Sequence, residues 1–251
     1  MRGEVTGGRG YFCLSTASGF FLAVPPLPAL FLGRMFPMSV IERYTLSYLP
    51  DHSVSTVYCF TPDAPVGDAP LVMMWPGFGM GARYYRPLAR ELAGRGYNVA
   101  IGELRGQGTN STTAMPDNQW GYHNLASEDY PRAIEAAKKE LGLPRDYPTV
   151  MLTHSMGGQV GSMFLARPEA KELNVQGLMG VGTGSPYHRG FTGRAYVRAL
   201  LGGQLMGQVA KLRGFWPGGA LDIAGYGRQS GRHVYELSLI HISEPTRRYA
   251  I

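Results

Sequence analysis

An α/β fold, a mostly parallel sheet with helices on both faces, is predicted by two observations. Between residues 40 and 181, apolar runs of strand length alternate with amphipathic stretches of helical length, the pattern of strands joined by helical crossovers. One junction, Thr153-His154-Ser155-Met156-Gly157-Gly158, passes from a buried strand straight into a helix with small residues around its centre. The function of such a sheet sits at the carboxyl ends of its strands, where the loops gather.

Residues 40–49 and 53–61 alternate in strand fashion about Pro50 and Asp51, and read as an antiparallel pair. A Pro/Asp/Gly linker covers residues 62–70. The apolar run 71–75 suits a strand buried on both faces. Residues 83–93 carry Tyr85, Leu88 and Leu92 at helical spacing and stop at Gly94 and Gly96. A strand at 97–101 and a helix at 125–141, stopped by Gly142 and Pro144, follow. Then come a strand at 149–153, a helix at 156–166 and a strand at 175–181. Residues 186–236 lose this rhythm; Gly, Arg and aromatics dominate, and 195–212 reads as one or two helices. An insertion of that kind is a cap over the site or a surface excursion.

The ends differ from the middle. Residues 11–33 are apolar and follow Arg2 and Arg9, as in a signal peptide or anchor, but Pro25, Pro26 and Pro28 interrupt any continuous helix. The alternative, a start at Met35 or Met38, is favoured because strand periodicity begins only at Val40. Residues 237–247, LSLIHISEPTR, resemble the in-frame translation of a transposon end and sequencing adapter. The expected organisation is therefore a doubtful extension at 1–37, a core at 38–185, a cap-like region at 186–236 and an adapter-derived tail at 237–251. His241 and Ser243 are set aside with that tail.

Composition narrows the function classes. Among 251 residues, 24 Lys and Arg face 18 Asp and Glu, a net charge of +6. The surplus is partly terminal: Arg2, Arg9 and Arg34 against Glu4 at one end, Arg247 and Arg248 against Glu244 at the other. No basic stripe with interleaved aromatics is present, so nucleic acid is not an expected partner. Cys13 and Cys59 make neither a disulfide framework nor a four-ligand zinc site, so a reducing, cytoplasmic setting is expected. Glycine is abundant, 35 residues without a repeat period, so glycines must serve turns and close backbone approaches.

Two turns carry the chemistry. A sharp strand-to-helix turn strains its central residue and needs small neighbours two positions away on either side. Gly157 meets that need on one side and Thr153 replaces the usual glycine on the other. Ser155 would then project at the head of the following helix, whose N-terminus favours a developing anion. The bland alternative for Ser155 is a helix N-cap, which requires none of these neighbours. His154 is expected to pack beneath the turn, not to act as the base. The second turn, Trp75-Pro76-Gly77-Phe78-Gly79-Met80-Gly81, follows the 71–75 strand. An acyl-transfer site needs two backbone N–H groups aimed at its oxyanion, and Met156 and Phe78 are the candidates. Phosphate binding is the alternative use of such a loop, but the Lys-Ser/Thr of a P-loop and the dinucleotide spacing are both missing.

Over roughly residues 40–185 the chain resembles the α/β-hydrolase superfamily. The resemblance rests on THSMGG, PGFGMG and the segment Glu103-Leu104-Arg105-Gly106-Gln107-Gly108. The last looks like the D-x-R-G-x-G-x-S stretch of esterase, lysophospholipase and serine-aminopeptidase-like members, where Arg105 and Gly106 would shape a loop beside the nucleophile. Gln119-Trp120-Gly121-Tyr122, Asp129-Tyr130-Pro131-Arg132-Ala133, Gly182-Thr183-Gly184-Ser185 and Phe215-Trp216-Pro217-Gly218 resemble a group of predicted bacterial members of unestablished substrate. Trp120 and Trp216 read as packing residues before substrate contacts.

The resemblance implies an α/β-hydrolase fold and a serine hydrolase acting on a small-molecule ester, amide or thioester, with no cofactor and no metal. Such a protein needs an acid and then a histidine after the nucleophile, each beyond a later strand. Glu169, Glu172, Asp222 and Glu236 are the available carboxylates, and His188 and His233 the available histidines. Glu169 and Glu172 fall around a helix end and read as solvated; Asp222, His188 and His233 are weak candidates, with no strand pattern before Asp222 or His233. The expectation is that the fold is C-terminally truncated, that acid and base lie beyond the break on two further strands, and that this chain is inactive. A haloperoxidase-like or C–C hydrolase use of the same triad, and a non-catalytic binding scaffold, are the rivals. A membrane partner is not expected.

Overall fold

The computed structural model describes residues 39–184, 188–218 and 227–240. Its centre is a six-stranded sheet of order β1-β2-β4-β3-β5-β6. Strands β1 (Val40–Tyr48) and β2 (Val54–Pro62) form the antiparallel pair expected around Pro50 and Asp51. Strands β3 (Leu71–Trp75), β4 (Val99–Ile101), β5 (Thr149–His154) and β6 (Val175–Val181) run parallel. β3 is buried along its whole length, as its unbroken apolar run requires.

Alternate residues of β3 divide the core. Leu71, Met73 and Trp75 pack with Tyr130, Ile134 and Phe164, while Val72 and Met74 pack with Ala89, Ala93, Val99 and Ile101. On the first face lie α3 (Tyr130–Glu140) and α4 (Met156–Leu165), followed by the short α5 (Pro168–Glu172); α1 (Arg86–Gly94) lies on the second. Val150 and Leu152 of β5 are only half-buried. At the sheet margin Met179 and Val181 of β6 are 48% and 56% exposed.

Several boundaries differ from the sequence expectation. A 3-10 turn takes up Ala82–Tyr85, and α1 begins only at Arg86, with Pro87 in its first turn where a missing N–H costs nothing. Its buried residues are Ala89 and Ala93, while Leu88 is exposed, so the small residues face the sheet. The helix expected at 125–141 begins earlier, at α2 (Tyr122–Asn124), and passes through a π-helical segment (Leu125–Asp129) into α3.

In the region read as cap-like, α6 (Gly193–Val197) leads through a π-helical segment into α7 (Gly203–Arg213). There follow a two-stranded antiparallel sheet, β7 (Phe215–Pro217) with β8 (Arg228–Ser230), and α8 (Gly231–Ile240). β8 corrects the expectation that no strand precedes His233, although it belongs to this small sheet and not to the central one. Its three residues are too few to show a period. α8 runs without interruption through Ile240. Asp222, the N-terminal extension and the end of the proposed adapter tail lie outside the described residues. Among the described residues no helix is long and apolar enough to cross a membrane.

One buried carboxylate joins the loops that leave β3 and β4. Glu103, 2% exposed, accepts hydrogen bonds from the backbone N–H of Ala82 at 3.0 and 3.2 Å and of Thr109 at 3.2 Å. Gly108 is required beside it, because a Cβ there would collide with the carboxylate and the backbone has φ +53°. Burial pushes the Glu103 carboxyl up to about 7. A raised folded-state pKa stabilises the fold fully below the ordinary value of 4.5, and that contribution is lost as pH rises through about 7. Urea unfolding between about pH 4.5 and about pH 8 should therefore show the unsubstituted protein losing stability relative to Glu103→Gln as pH rises. Parallel stability curves for the two proteins would contradict this assignment.

Candidate active site

Because β3 and β5 are neighbours, the turns that follow them meet at one edge of the sheet. Ser155 closes β5 with φ +51° and ψ −124°, a conformation that costs a non-glycine residue about 1–3 kcal/mol. Its N–H donates to the carbonyl of Val181 at 2.8 Å, which extends the β5–β6 ladder up to the turn. α4 starts immediately afterwards at Met156. The side chain of Ser155 is half-buried, and no described residue bonds its Oγ.

The turn is held by the absence of side chains. A Cβ on Gly157 would lie 2.5 Å from the carbonyl oxygen of Pro76 and 3.1 Å from that of Trp75. A Cβ on Gly158 would collide with Thr183 and come within 2.8 Å of Thr153 Oγ1. Thr153 fits where a glycine is usual because its hydroxyl turns to the Met179 carbonyl, 3.3 Å away. From below, the buried Tyr130 donates its hydroxyl to the Gly157 carbonyl at 2.5 Å. Its ring stacks on Trp75 with centroids 3.7 Å apart and planes 8° from parallel.

The 76–81 loop closes over this turn. A Cβ on Gly77 would stand 3.2 Å from Ser155 Cβ and 2.8 Å from His154 Nδ1, so only glycine permits the approach. The Gly77 carbonyl accepts from the N–H of Met80 at 3.3 Å, and that N–H also reaches Gln107 Oε1 at 3.1 Å. Among the described residues neither Phe78 N–H nor Met156 N–H has a protein acceptor. Met156 is at the first position of α4, where an N–H has no partner within the helix. Each of these N–H groups belongs to one of the two turns that meet at Ser155.

The remaining candidates fall in different places. His233 on α8 is fully buried, with Nε2 2.7 Å from Met156 Sδ and its ring edge-on to Phe78 and Tyr122, centroids 5.6 and 5.3 Å away. Burial pushes its imidazole down to about 4. Among the described residues its Nδ1 is buried without a partner, and no described carboxylate orients the ring. His188 packs edge-on against Tyr196, 5.5 Å between centroids. Glu169 pairs with Arg167 and Glu172 with Arg145. Glu236 accepts the Tyr122 N–H at 2.7 Å and pairs with Arg232 at 3.0 Å, tying α8 to α2. The structure therefore packs His233 against Met156 and Phe78, and engages His188, Glu169, Glu172 and Glu236 elsewhere. Among the described residues no three His, Cys, Asp or Glu side chains cluster to hold a metal.

Arg105, 4% exposed, pairs with Asp51, Glu128 and Asp129 at 3.2, 2.6 and 2.9 Å, while Gly106 takes φ +70° beneath the ring of Trp120. Trp120 is 1% exposed, a packing residue. The sequence reading missed Tyr85 and Tyr130 as supports of the site. Tyr130 lies within a quoted motif, but Tyr85 has no local signal beyond its helical spacing.

The strain at Ser155 is open to measurement. Ser155→Gly should raise the free energy of unfolding by about 1 kcal/mol in urea titration, since glycine adopts a positive φ without the steric cost. An unchanged or lower stability would mean that the turn is relaxed.

A family model described as alpha/beta hydrolase fold matches residues 70–202. No curated protein matches the chain. Among solved structures, the chain is similar to a thermostable carboxyl esterase from Bacillus coagulans, with 21% identity over 70% of this chain and 50% of that one, TM-score 0.46. It is similar also to a bacterial brefeldin A esterase, with 16% identity over 91% and 56%, TM-score 0.48. A third is a bacterial membrane phospholipase A, with 19% identity over 56% and 39%, TM-score 0.41. The chain thus spans about half the length of these structures, or less. With the family match covering more than half of the chain, from the start of β3 to the π-helical segment before α7, this protein belongs to the alpha/beta hydrolase fold family.

Proposed function

We propose that the protein is a serine hydrolase that acts on an ester, amide or thioester through an acyl-enzyme at Ser155. The observation that carries this reading is the serine held at φ +51° between a buried strand and a helix, with the Gly77 turn packed against it. An N-cap serine needs neither the strained backbone nor the second turn.

In the proposed reaction Ser155 Oγ attacks the substrate carbonyl carbon while its proton passes to a general base. The carbonyl oxygen gains the negative charge and is held by the N–H groups of Met156 and Phe78, aided by the N-terminus of α4. Collapse expels the alcohol, amine or thiol, which takes the proton. Water then repeats the attack on the acyl-enzyme and releases the carboxylic acid.

General base and acid are proposed to come from outside the described residues, carried on further strands beside β6. The exposure of Met179 and Val181 supports this, since apolar residues at a sheet margin gain by being covered. His233 is a poor alternative, because it is pushed down to about 4 and has no carboxylate partner among the described residues. On this reading the 251-residue chain does not turn substrate over. Among substrates, a small acyl compound is favoured; nucleic acid and membrane are not.

A fluorophosphonate probe separates enzyme from scaffold. The natural protein, translated past the codon for Glu236, should be labelled at Ser155, and the 251-residue chain more slowly by a factor on the order of 10⁴ or more, as when a triad loses its base. A natural protein that folds yet leaves Ser155 unlabelled would establish the rival reading, a non-catalytic binding scaffold.

A further inference from the structure

We infer that Tyr85 and His154 are positioning residues that hold the oxyanion loop against the nucleophile turn. The inference rests on the serine-hydrolase reading for its catalytic meaning, and on three contacts for its geometry. Gly77 N–H donates to Tyr85 Oη at 3.1 Å, and Tyr85 Oη lies 2.8 Å from His154 Nδ1. The third is the approach of Gly77 itself, where a Cβ would meet that same His154 nitrogen at 2.8 Å.

The Phe78 N–H can serve an oxyanion only if its peptide plane is fixed. That plane is shared with the Gly77 carbonyl, which the Met80 N–H already holds from one side. Between it and the preceding plane stand only the two torsions of a glycine, the freest in the chain. The Tyr85 hydroxyl fixes the preceding plane, because it accepts from the N–H that belongs to it. Both ends of the glycine are then anchored, and the Phe78 N–H is left with one direction.

The hydroxyl in turn needs an orientation. Having accepted from Gly77, it has one proton to give, and His154 Nδ1 is the close acceptor; Met80 Sδ, at 3.5 Å, is the distant one. Donation to Nδ1 leaves the histidine proton on Nε2. His154 directly precedes Ser155, so the chain of contacts starts on the nucleophile turn and ends on the opposing loop. The two halves of the oxyanion site are therefore linked, and His154 has a task distinct from that of a general base. Burial pushes the Tyr85 phenol up, so it stays a protonated donor. Tyr85 comes from the 3-10 turn that delays the start of α1, the turn whose first residue, Ala82, is held by Glu103.

The test compares the unsubstituted protein with Tyr85→Phe and His154→Gln. In the 251-residue chain, Tyr85→Phe should speed amide exchange at Gly77 by about tenfold or more, as expected for a lost hydrogen bond. The His154 ring nitrogens should shift in ¹⁵N spectra towards a mixture of tautomers. Unchanged exchange and unchanged ring signals would overturn the contacts. In the natural protein, Tyr85→Phe should lower the maximal rate of Ser155 phosphonylation by about tenfold or more at unchanged probe affinity, and His154→Gln, which keeps an acceptor for the hydroxyl, should lower it less. Equal maximal rates in the unsubstituted protein and Tyr85→Phe, or loss of affinity alone, would overturn the positioning role. Absence of labelling in the unsubstituted protein would instead remove the serine-hydrolase reading and the catalytic role with it, while the exchange result would still decide the contacts.

Discussion

Everything at this site depends on two turns approaching each other where neither has a side chain in the way. Gly157 abuts the carbonyl of Pro76, and Gly77 abuts Ser155 and His154. A methyl group at either glycine would push the turns apart, since protein interiors have no slack for an extra carbon at such distances. The backbone strain at Ser155 persists because this approach, the Val181 hydrogen bond and the Tyr130 hydroxyl together leave the serine no alternative. Sheet order is the larger reason. Only with β3 and β5 side by side and parallel do their exits share an edge.

The supports behind these turns are mostly buried polar groups bonded to partners from other parts of the chain. Glu103 gathers the loops after β3 and β4, and Arg105 draws Asp51 of the first hairpin towards Glu128 and Asp129. Such groups add little net stability when paired, but leaving one partner unpaired is expensive. They act as fasteners that penalise other arrangements of the loops. Lys138 plays this part at the opposite end of α3, where its ammonium donates to the carbonyls of Arg145, Tyr147 and Leu173 at 2.9, 2.8 and 2.6 Å.

Much of this architecture was legible before any coordinates. The run at 71–75 announced a central strand, and the abrupt passage from 149–153 into Met156 announced the strained serine, because both are local patterns with one physical explanation. What stayed hidden was whatever depends on contact between segments far apart in sequence. Tyr85 could be read only as one apolar position of a helix, yet its hydroxyl reaches Gly77 and His154. The inward face of α1 was legible only in part: Tyr85 and Leu92 pack against the core as their spacing suggests, but Ala89 and Ala93 are its buried residues and Leu88 is exposed. His233 was named as a base candidate from its residue type alone, whereas its burial against Met156 is a matter of packing.

The central claim is that the two turns form one oxyanion site around a strained serine. It is tested most directly by a crystal structure of the natural protein after reaction with a phosphonate. The account predicts phosphorus bonded to Ser155 Oγ, φ of Ser155 still positive, and one phosphonyl oxygen within hydrogen-bond distance of both Met156 N and Phe78 N. A phosphonyl oxygen directed away from either N–H, or a serine relaxed to negative φ, would contradict it.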